Sequence, residues 1–438
     1  MPGTFPLQNF NTCEPAMNDQ SCDSYKDAMS RRSALKLGAL GLVPWLLSSS
    51  ALSQVKIDAK RRGHSLVVLF LRGGSDGLNM LVPYAEDAYY RARPSLAIPK
   101  PNDSRVKAEL RSVTINDHFA LHPSLRPLKK WYDQGSMAMV HAVGSNDTTR
   151  SHFEAMSAME RGAQTGNSGE PSGWLARYLN KTQSTDDTPL RAVAWANTMP
   201  DSLRGAPSPM VVQSISDFQL NTDKEFLDAL KDQYTTHGSG SSTVVHNAGA
   251  QTLQALAKIE QLDPKNYKAS GGAVYPTTYL GQGFREVACL LKSDLGLEIA
   301  CLEDTGWDSH FAQGGTIGIH ANNLNSVATT VDAFLTDLGP RAKEITLIVM
   351  TEFGRRVEEN ASLGTDHGRA SVMMAFGDVD GGKIHGAWPG LKKYDPDAVQ
   401  DPMHGLDSVG DLKPVNDYRK VLTQFLAPKM PEVANIWV

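Results

Sequence analysis

The apolar positions of this chain fall into short unbroken runs, each of which stops in glycine together with acidic, hydroxyl or histidine residues. Ser65–Leu71 (SLVVLFL) holds six apolar residues in seven and gives way to RGGSDG. Met137–Val143 (MAMVHAV) ends in GSNDTTRS, Leu297–Cys301 (LEIAC) in LEDTGWDSH, and Ile345–Met350 (ITLIVM) in TEFGRR. Runs without polar alternation suit strands buried on both faces, as in a parallel sheet covered by helices. Further strands are expected at Pro189–Trp195, Met210–Ile215 and Ser371–Phe376, with a hairpin-like glycine turn at Gly381–Gly386.

Between these runs the period changes to a helical one. Helices are expected over Ser124–Gln134, Ser151–Glu160, Ser216–Tyr234, Val244–Leu262, Thr278–Leu291, Asn322–Leu338 and Asp417–Leu426. The alternation predicts an α/β fold: a doubly wound, mostly parallel sheet flanked by helices, with a helical insertion at about 200–280. Residues 54–438 are read as one domain, long enough for a large core. A net charge of −5 gives no electrostatic reason to expect nucleic acid as a partner.

The first residues read as an address. Ser30-Arg31-Arg32-Ser33 opens a twin-arginine pattern, an apolar stretch follows over Leu37–Leu47, and Ala51-Leu52-Ser53 offers a small-residue cleavage site. Residues 1–53 are therefore expected to be a signal region, with the mature chain starting near Gln54 and reaching the periplasm or the exterior through the twin-arginine export machinery. The apolar stretch is too short to span a bilayer, and the mature chain shows no transmembrane segment. Cys289 and Cys301 remain after cleavage and can form one disulfide or stay as two buried thiols.

The candidate chemistry sits where the runs stop. In an open α/β sheet the carboxyl ends of parallel strands share one edge, where ligands bind. That edge would gather Asp76, Asp308, His310, Glu352 and the glycine-flanked pair Asp366-His367 as metal ligands. Mixed oxygen and nitrogen donors suit one or two divalent ions of Zn, Mn or Fe better than Ca or Mg. Ser151 opens a helix, where the dipole and free N–H groups favour a nucleophile attacking a phosphorus or sulfur centre, or a bound anion; it serves equally as an N-cap. Asp76 has a cap reading too. Arg150, Arg355 and Arg369 could clamp anionic oxygens.

LRGGSDGLN, TRSHFEAM, GWLARYL, WDSH, TEFGRR, GTDHGR and GGKIHGAWPGL together resemble the exported bacterial family called domain of unknown function 1501. The resemblance covers the chain from about Ser65 to its end, and places it with the alkaline phosphatase and sulfatase superfamily. It implies an alkaline-phosphatase-like fold, Asp76 as the first-strand metal aspartate, and Ser151 as nucleophile with Thr149 as the fallback. It further implies Asp308 with His310 at one metal position and His367, with Asp366, as the late histidine. Two departures stand out. Glu352-Phe353 replaces the superfamily's Asp-His, and no Cys-x-Pro-x-Arg sulfatase signature occurs.

The expected function is thus an exported metal-dependent hydrolase of phosphate or sulfate esters, on a small-molecule or polysaccharide substrate. The alternative is a non-catalytic metal- or anion-binding protein of the cell envelope built on a hydrolase scaffold.

Overall fold

The computed structural model describes residues 63–164, 169–184, 187–216, 224–235, 242–392 and 405–438. The expected signal region lies outside them. Among the described residues no helix is long and apolar enough to cross a membrane.

Strand β1 (Ser65–Leu71) is buried along its whole length and pairs in parallel on both edges. After it come β2 (Leu81–Val82), β3 (Val113–Thr114), β4 (Ala120–Leu121), β5 (Met137–Gly144), β6 (Ala192–Trp195) and β7 (Met210–Val212). The later strands are β8 (Ile299–Asp304), β9 (Ile345–Met350), β10 (Ser371–Gly377), β11 (Ile384–His385) and β12 (Asn416–Asp417). Nine of them form one sheet in the order β11-β5-β10-β9-β1-β8-β6-β7, with β12 also on β5; β2, β4 and β3 make a small separate sheet.

Only β10 among the long strands runs against its neighbours, β5 and β9. Consequently β5, β9, β1, β8, β6 and β7 all point one way. The expected mixed, mostly parallel α/β sheet is what forms.

The sheet divides its side chains by the two-residue period of a strand. Val67, Leu69 and Leu71 face a core closed by helices Tyr279–Lys292 and Ile319–Leu338, through residues such as Phe284, Val287, Val331 and Phe334. Leu66, Val68 and Phe70 face a second core under helices Trp174–Lys181 and Tyr418–Leu426. Leu69 is fully buried, and truncating it to alanine costs about 2–5 kcal/mol.

Two local expectations change, and two others resolve as follows. Gly381–Gly386 does not make a hairpin on β10, because both edges of β10 are already paired; β11 instead joins β5 in parallel. The expected helix Ser124–Gln134 splits into a 3-10 turn, Pro123–Leu128, and a short helix, Lys129–Asp133, since Pro127 has no N–H to give. Within 200–280 the chain first adds edge strand β7, then helices Lys224–Thr235 and Ser242–Leu262; Ala255 and Ile259 of the second helix reach the first core. Cys289 and Cys301 are both buried and unpaired. The helix carrying Cys289 covers one face of the sheet while Cys301 joins the core on the other, and burial pushes the two thiols up to about 11 and about 12.

Candidate metal centre

The loops that leave β1, β8 and β9 are pressed together at the carboxyl edge of the sheet. Gly73 has φ +123°, and a Cβ there would stand 2.5 Å from the backbone nitrogen of Asp308, so no other residue lets the first two loops approach so closely. A Cβ on Gly364 would stand 2.3 Å from the His310 carbonyl oxygen, which brings the loop before β10 against the loop after β8. Buried Arg355 ties these loops. It donates to the carbonyl oxygens of Gly73, Gly74 (2.7 Å), Trp307 (3.1 Å) and Thr365 (2.9 Å), and to Asp308 Oδ1 (2.6 Å).

Four side chains converge there. Asp308 Oδ1 lies 3.1 Å from both His310 Nε2 and His367 Nε2, and these two nitrogens are 2.8 Å apart. His152 Nε2 reaches to 3.5 Å from Asp308 Oδ2. Nitrogens and oxygen of His152, Asp308 and His367 all lie within 4.8 Å of one another. The ring of Phe353 packs at 4.9 Å from that of His152 and 5.0 Å from that of His367.

The other ring nitrogens decide what these can do. His152 Nδ1 lies 2.7 Å from Glu352 Oε1, His310 Nδ1 lies 3.0 Å from Asp366 Oδ1, and His367 Nδ1 lies 2.7 Å from the Arg150 carbonyl oxygen. Carboxylates and carbonyls only accept, so in the neutral imidazoles each Nδ1 carries the proton and each Nε2 keeps its lone pair. Three lone pairs therefore face one carboxylate. Donors about 2.0–2.1 Å from a tetrahedral ion stand roughly 3.3 Å apart, close to the separations of Asp308 from the three histidines. His152 Nε2 is also buried without a hydrogen-bond partner. The residues fit a divalent ion.

Burial disfavours the charged Asp308, but the hydrogen bond from Arg355 and its positive charge hold the carboxyl down at about 2. The bond from His310 lowers Asp366. The bond to Glu352 raises His152, while burial lowers His367.

Asp308, His310 and His367 thus point into the cluster. Glu352 stands behind it: Oε1 accepts from His152 and from the Gly73 N–H (2.8 Å), and Oε2 from Thr351 Oγ1 (2.9 Å). Asp366 likewise holds His310 and accepts from Asn360 Nδ2 at 3.1 Å. Asp76 lies outside the cluster. It is buried, makes no side-chain cap bond, and its Oδ2 accepts from Arg93 Nη1 and Gln313 Nε2, both at 2.6 Å. Gln313 Oε1 in turn accepts from Ser309 Oγ (2.9 Å) and Thr365 Oγ1 (2.5 Å), one on each ligand-bearing loop.

Ser151 caps helix His152–Arg161, its Oγ accepting from the Glu154 N–H at 3.5 Å. Thr149 Oγ1 donates to Glu154 Oε2 at 2.6 Å. Arg150 pairs with Asp411 and donates to the His367 carbonyl (3.1 Å); Arg369 stands 3.7 Å from Asp407. His152 and Gln313 were not among the expected site residues. The signal for His152 was its place in the first turn of a helix that opens at a strand end; nothing in the sequence marks Gln313.

Among solved structures, the chain is similar to the alkaline phosphatase from the Antarctic bacterium TAB5, at 10% identity and TM-score 0.30, over 74% of this chain and 94% of that one. It is similar also to the PH0037 protein from Pyrococcus horikoshii, at 10% identity and TM-score 0.28, over 72% and 86% of the two chains. At such TM-scores the likeness carries no argument about what this chain does. No curated protein matches it significantly. The model of the family described as protein of unknown function DUF1501 matches residues 63–431, and the chain belongs to that family.

Proposed function

We propose that this chain is an exported metal-dependent hydrolase of phosphate or sulfate esters, with a single divalent ion of Zn, Mn or Fe held by His152, Asp308, His310 and His367. The observation that carries this reading is the set of three imidazoles, each with Nδ1 fixed on an acceptor and Nε2 turned toward Asp308. When bound, such an ion supplies a Lewis acid for an ester oxygen. Glu352 and Asp366 hold the imidazoles in the ligating tautomer. Arg355 holds Asp308 ionised and keeps the loops in register. Ser151, next to His152 at the amino end of its helix, is the nucleophile, at the positive end of the helix dipole where its Oγ accepts from the Glu154 N–H. Export through the twin-arginine machinery accords with a chain that takes its ion while folded.

One observation favours the second reading, a non-catalytic metal- or anion-binding protein of the cell envelope. Arg150 and Arg355 already have acidic partners, so neither is an uncommitted clamp for a substrate anion. Elemental analysis of the purified protein, with Asp308→Ala and His367→Ala beside it, separates the cases when combined with a panel of phosphate and sulfate esters. The hydrolase reading expects about one equivalent of metal, lost in both variants, and ester turnover abolished by a chelator and by Ser151→Ala. Metal without turnover supports the binding protein. No metal after reloading overturns the hydrolase reading and leaves the second as anion binding alone.

A further inference from the structure

Three exposed large apolar residues sit on the segments that carry the candidate metal centre. Phe153 follows His152 in the chain and Phe311 follows His310, and they are 83% and 74% exposed. Leu363, 55% exposed, sits on the loop that leads to His367. Backbone bonds from Ala312 N to the Ser362 oxygen and from Gln313 N to the Leu363 oxygen, both 3.0 Å, place Leu363 beside the loop of Phe311. Leu363 has φ +56° and Ala312 φ +48°, conformations strained for residues with a Cβ. A large apolar side chain is thus kept in solvent in a backbone state that glycine or asparagine would take more easily.

The His152 and His310 rings both lie against that of His367, at 4.3 and 4.5 Å between centroids. Phe153 and Phe311 are each one peptide, about 3.8 Å between Cα atoms, from a ligating histidine. Exposed apolar residues therefore directly follow two of the candidate ligands in the chain. Apolar patches of this kind mark ligand or partner surfaces. Phenylalanine and leucine carry no polar handle, so the rim suits a hydrocarbon portion rather than a hydroxylated one.

We infer that the substrate is an amphiphilic anionic ester, its anion at the centre held by His152, Asp308, His310 and His367 and its apolar group on Phe153, Phe311 and Leu363. This rests on the metal-centre reading above and names its substrate class.

The test is calorimetric titration of the metal-loaded full chain with ethyl-, butyl-, hexyl- and octylphosphonate, which share a head group and are not hydrolysed. A half-covered methylene is expected to tighten binding about two-fold. The double variant Phe153→Ser, Phe311→Ser should flatten the series and leave ethylphosphonate binding unchanged. A flat series in the parent protein, or a slope that survives in the double variant, overturns the inference. Ethylphosphonate binding that persists unchanged in the metal-stripped protein overturns the metal-centre reading, and the inference with it. Binding to phosphatidylglycerol vesicles with a flat soluble series assigns the rim to a membrane surface, and a dimer dissolved by the double variant assigns it to a second copy; either result overturns the proposal.

Discussion

Glu352 Oε1 accepts from His152 Nδ1 at 2.7 Å and, on the same oxygen, from the Gly73 backbone N–H at 2.8 Å. One carboxylate therefore fixes both an imidazole tautomer and the loop leaving β1. Glu352→Gln keeps the volume but offers an amide that donates as readily as it accepts. Metal affinity is expected to fall about 10–100-fold, the usual cost of losing such an outer partner. Competition of each protein against a chelator measures it, and parent-like affinity would show that His152 needs no orienting partner.

Gln313 joins the loops of His310 and His367 through one oxygen. Gln313→Leu leaves Ser309 Oγ and Thr365 Oγ1 without that acceptor. About ten-fold weaker metal binding is expected, together with an altered visible spectrum of the cobalt-loaded protein. An unchanged spectrum in a variant that still folds would limit Gln313 to packing.

Asp76 and Arg93 form a buried pair at 2.6 Å, their side chains 1% and 0% exposed. Burial pushes the Asp76 carboxyl up, but Arg93 and Gln313 outweigh it and hold it below the ordinary value. Its contribution to stability is then complete above the unfolded value of about 4 and disappears as pH falls through the lowered one. Asp76→Ala leaves Arg93 buried and unpaired, and is expected to cost about 3–5 kcal/mol at neutral pH in urea unfolding. A loss below about 1 kcal/mol would mean that water replaces the carboxylate.

Asp304, at the end of β8, shows the opposite sign. Burial pushes its carboxyl up to about 6, although Trp307 Nε1 donates to it at 2.9 Å. The folded chain holds that proton more tightly than the unfolded one. Stability should therefore decline between about pH 4 and pH 6, by on the order of 2–3 kcal/mol. Asp304→Asn keeps an acceptor for Trp307 and should remove this decline and raise the melting temperature at pH 7. Identical pH profiles for the two proteins would refute the assignment.

The sheet was readable because β1, β5, β8 and β9 are buried on both faces and carry few polar residues to blur their ends. The edge at which chemistry gathers followed from those ends. The duties of its residues did not. Whether Glu352 ligates or orients depends on His152, 200 positions away, and no local pattern encodes that pairing. Asp76 read as a ligand because it stands at a strand end, yet Arg93 and Gln313 claim its side chain. His152 was hidden inside an ordinary helical pattern, and the reversed direction of β10 depends on which edges its neighbours leave open.

The cluster draws on connections that follow β5, β8 and β9, so no short fragment of the chain contains it. Contacts between residues so distant in sequence close only when most of the sheet has assembled, since each long loop must first lose its freedom. A divalent ion seated there acts as a latch on the finished fold rather than as a seed for it. At concentrations about a thousand-fold above its dissociation constant it adds about 4 kcal/mol to the folded state. A chain that crosses a membrane already folded would carry its latch closed.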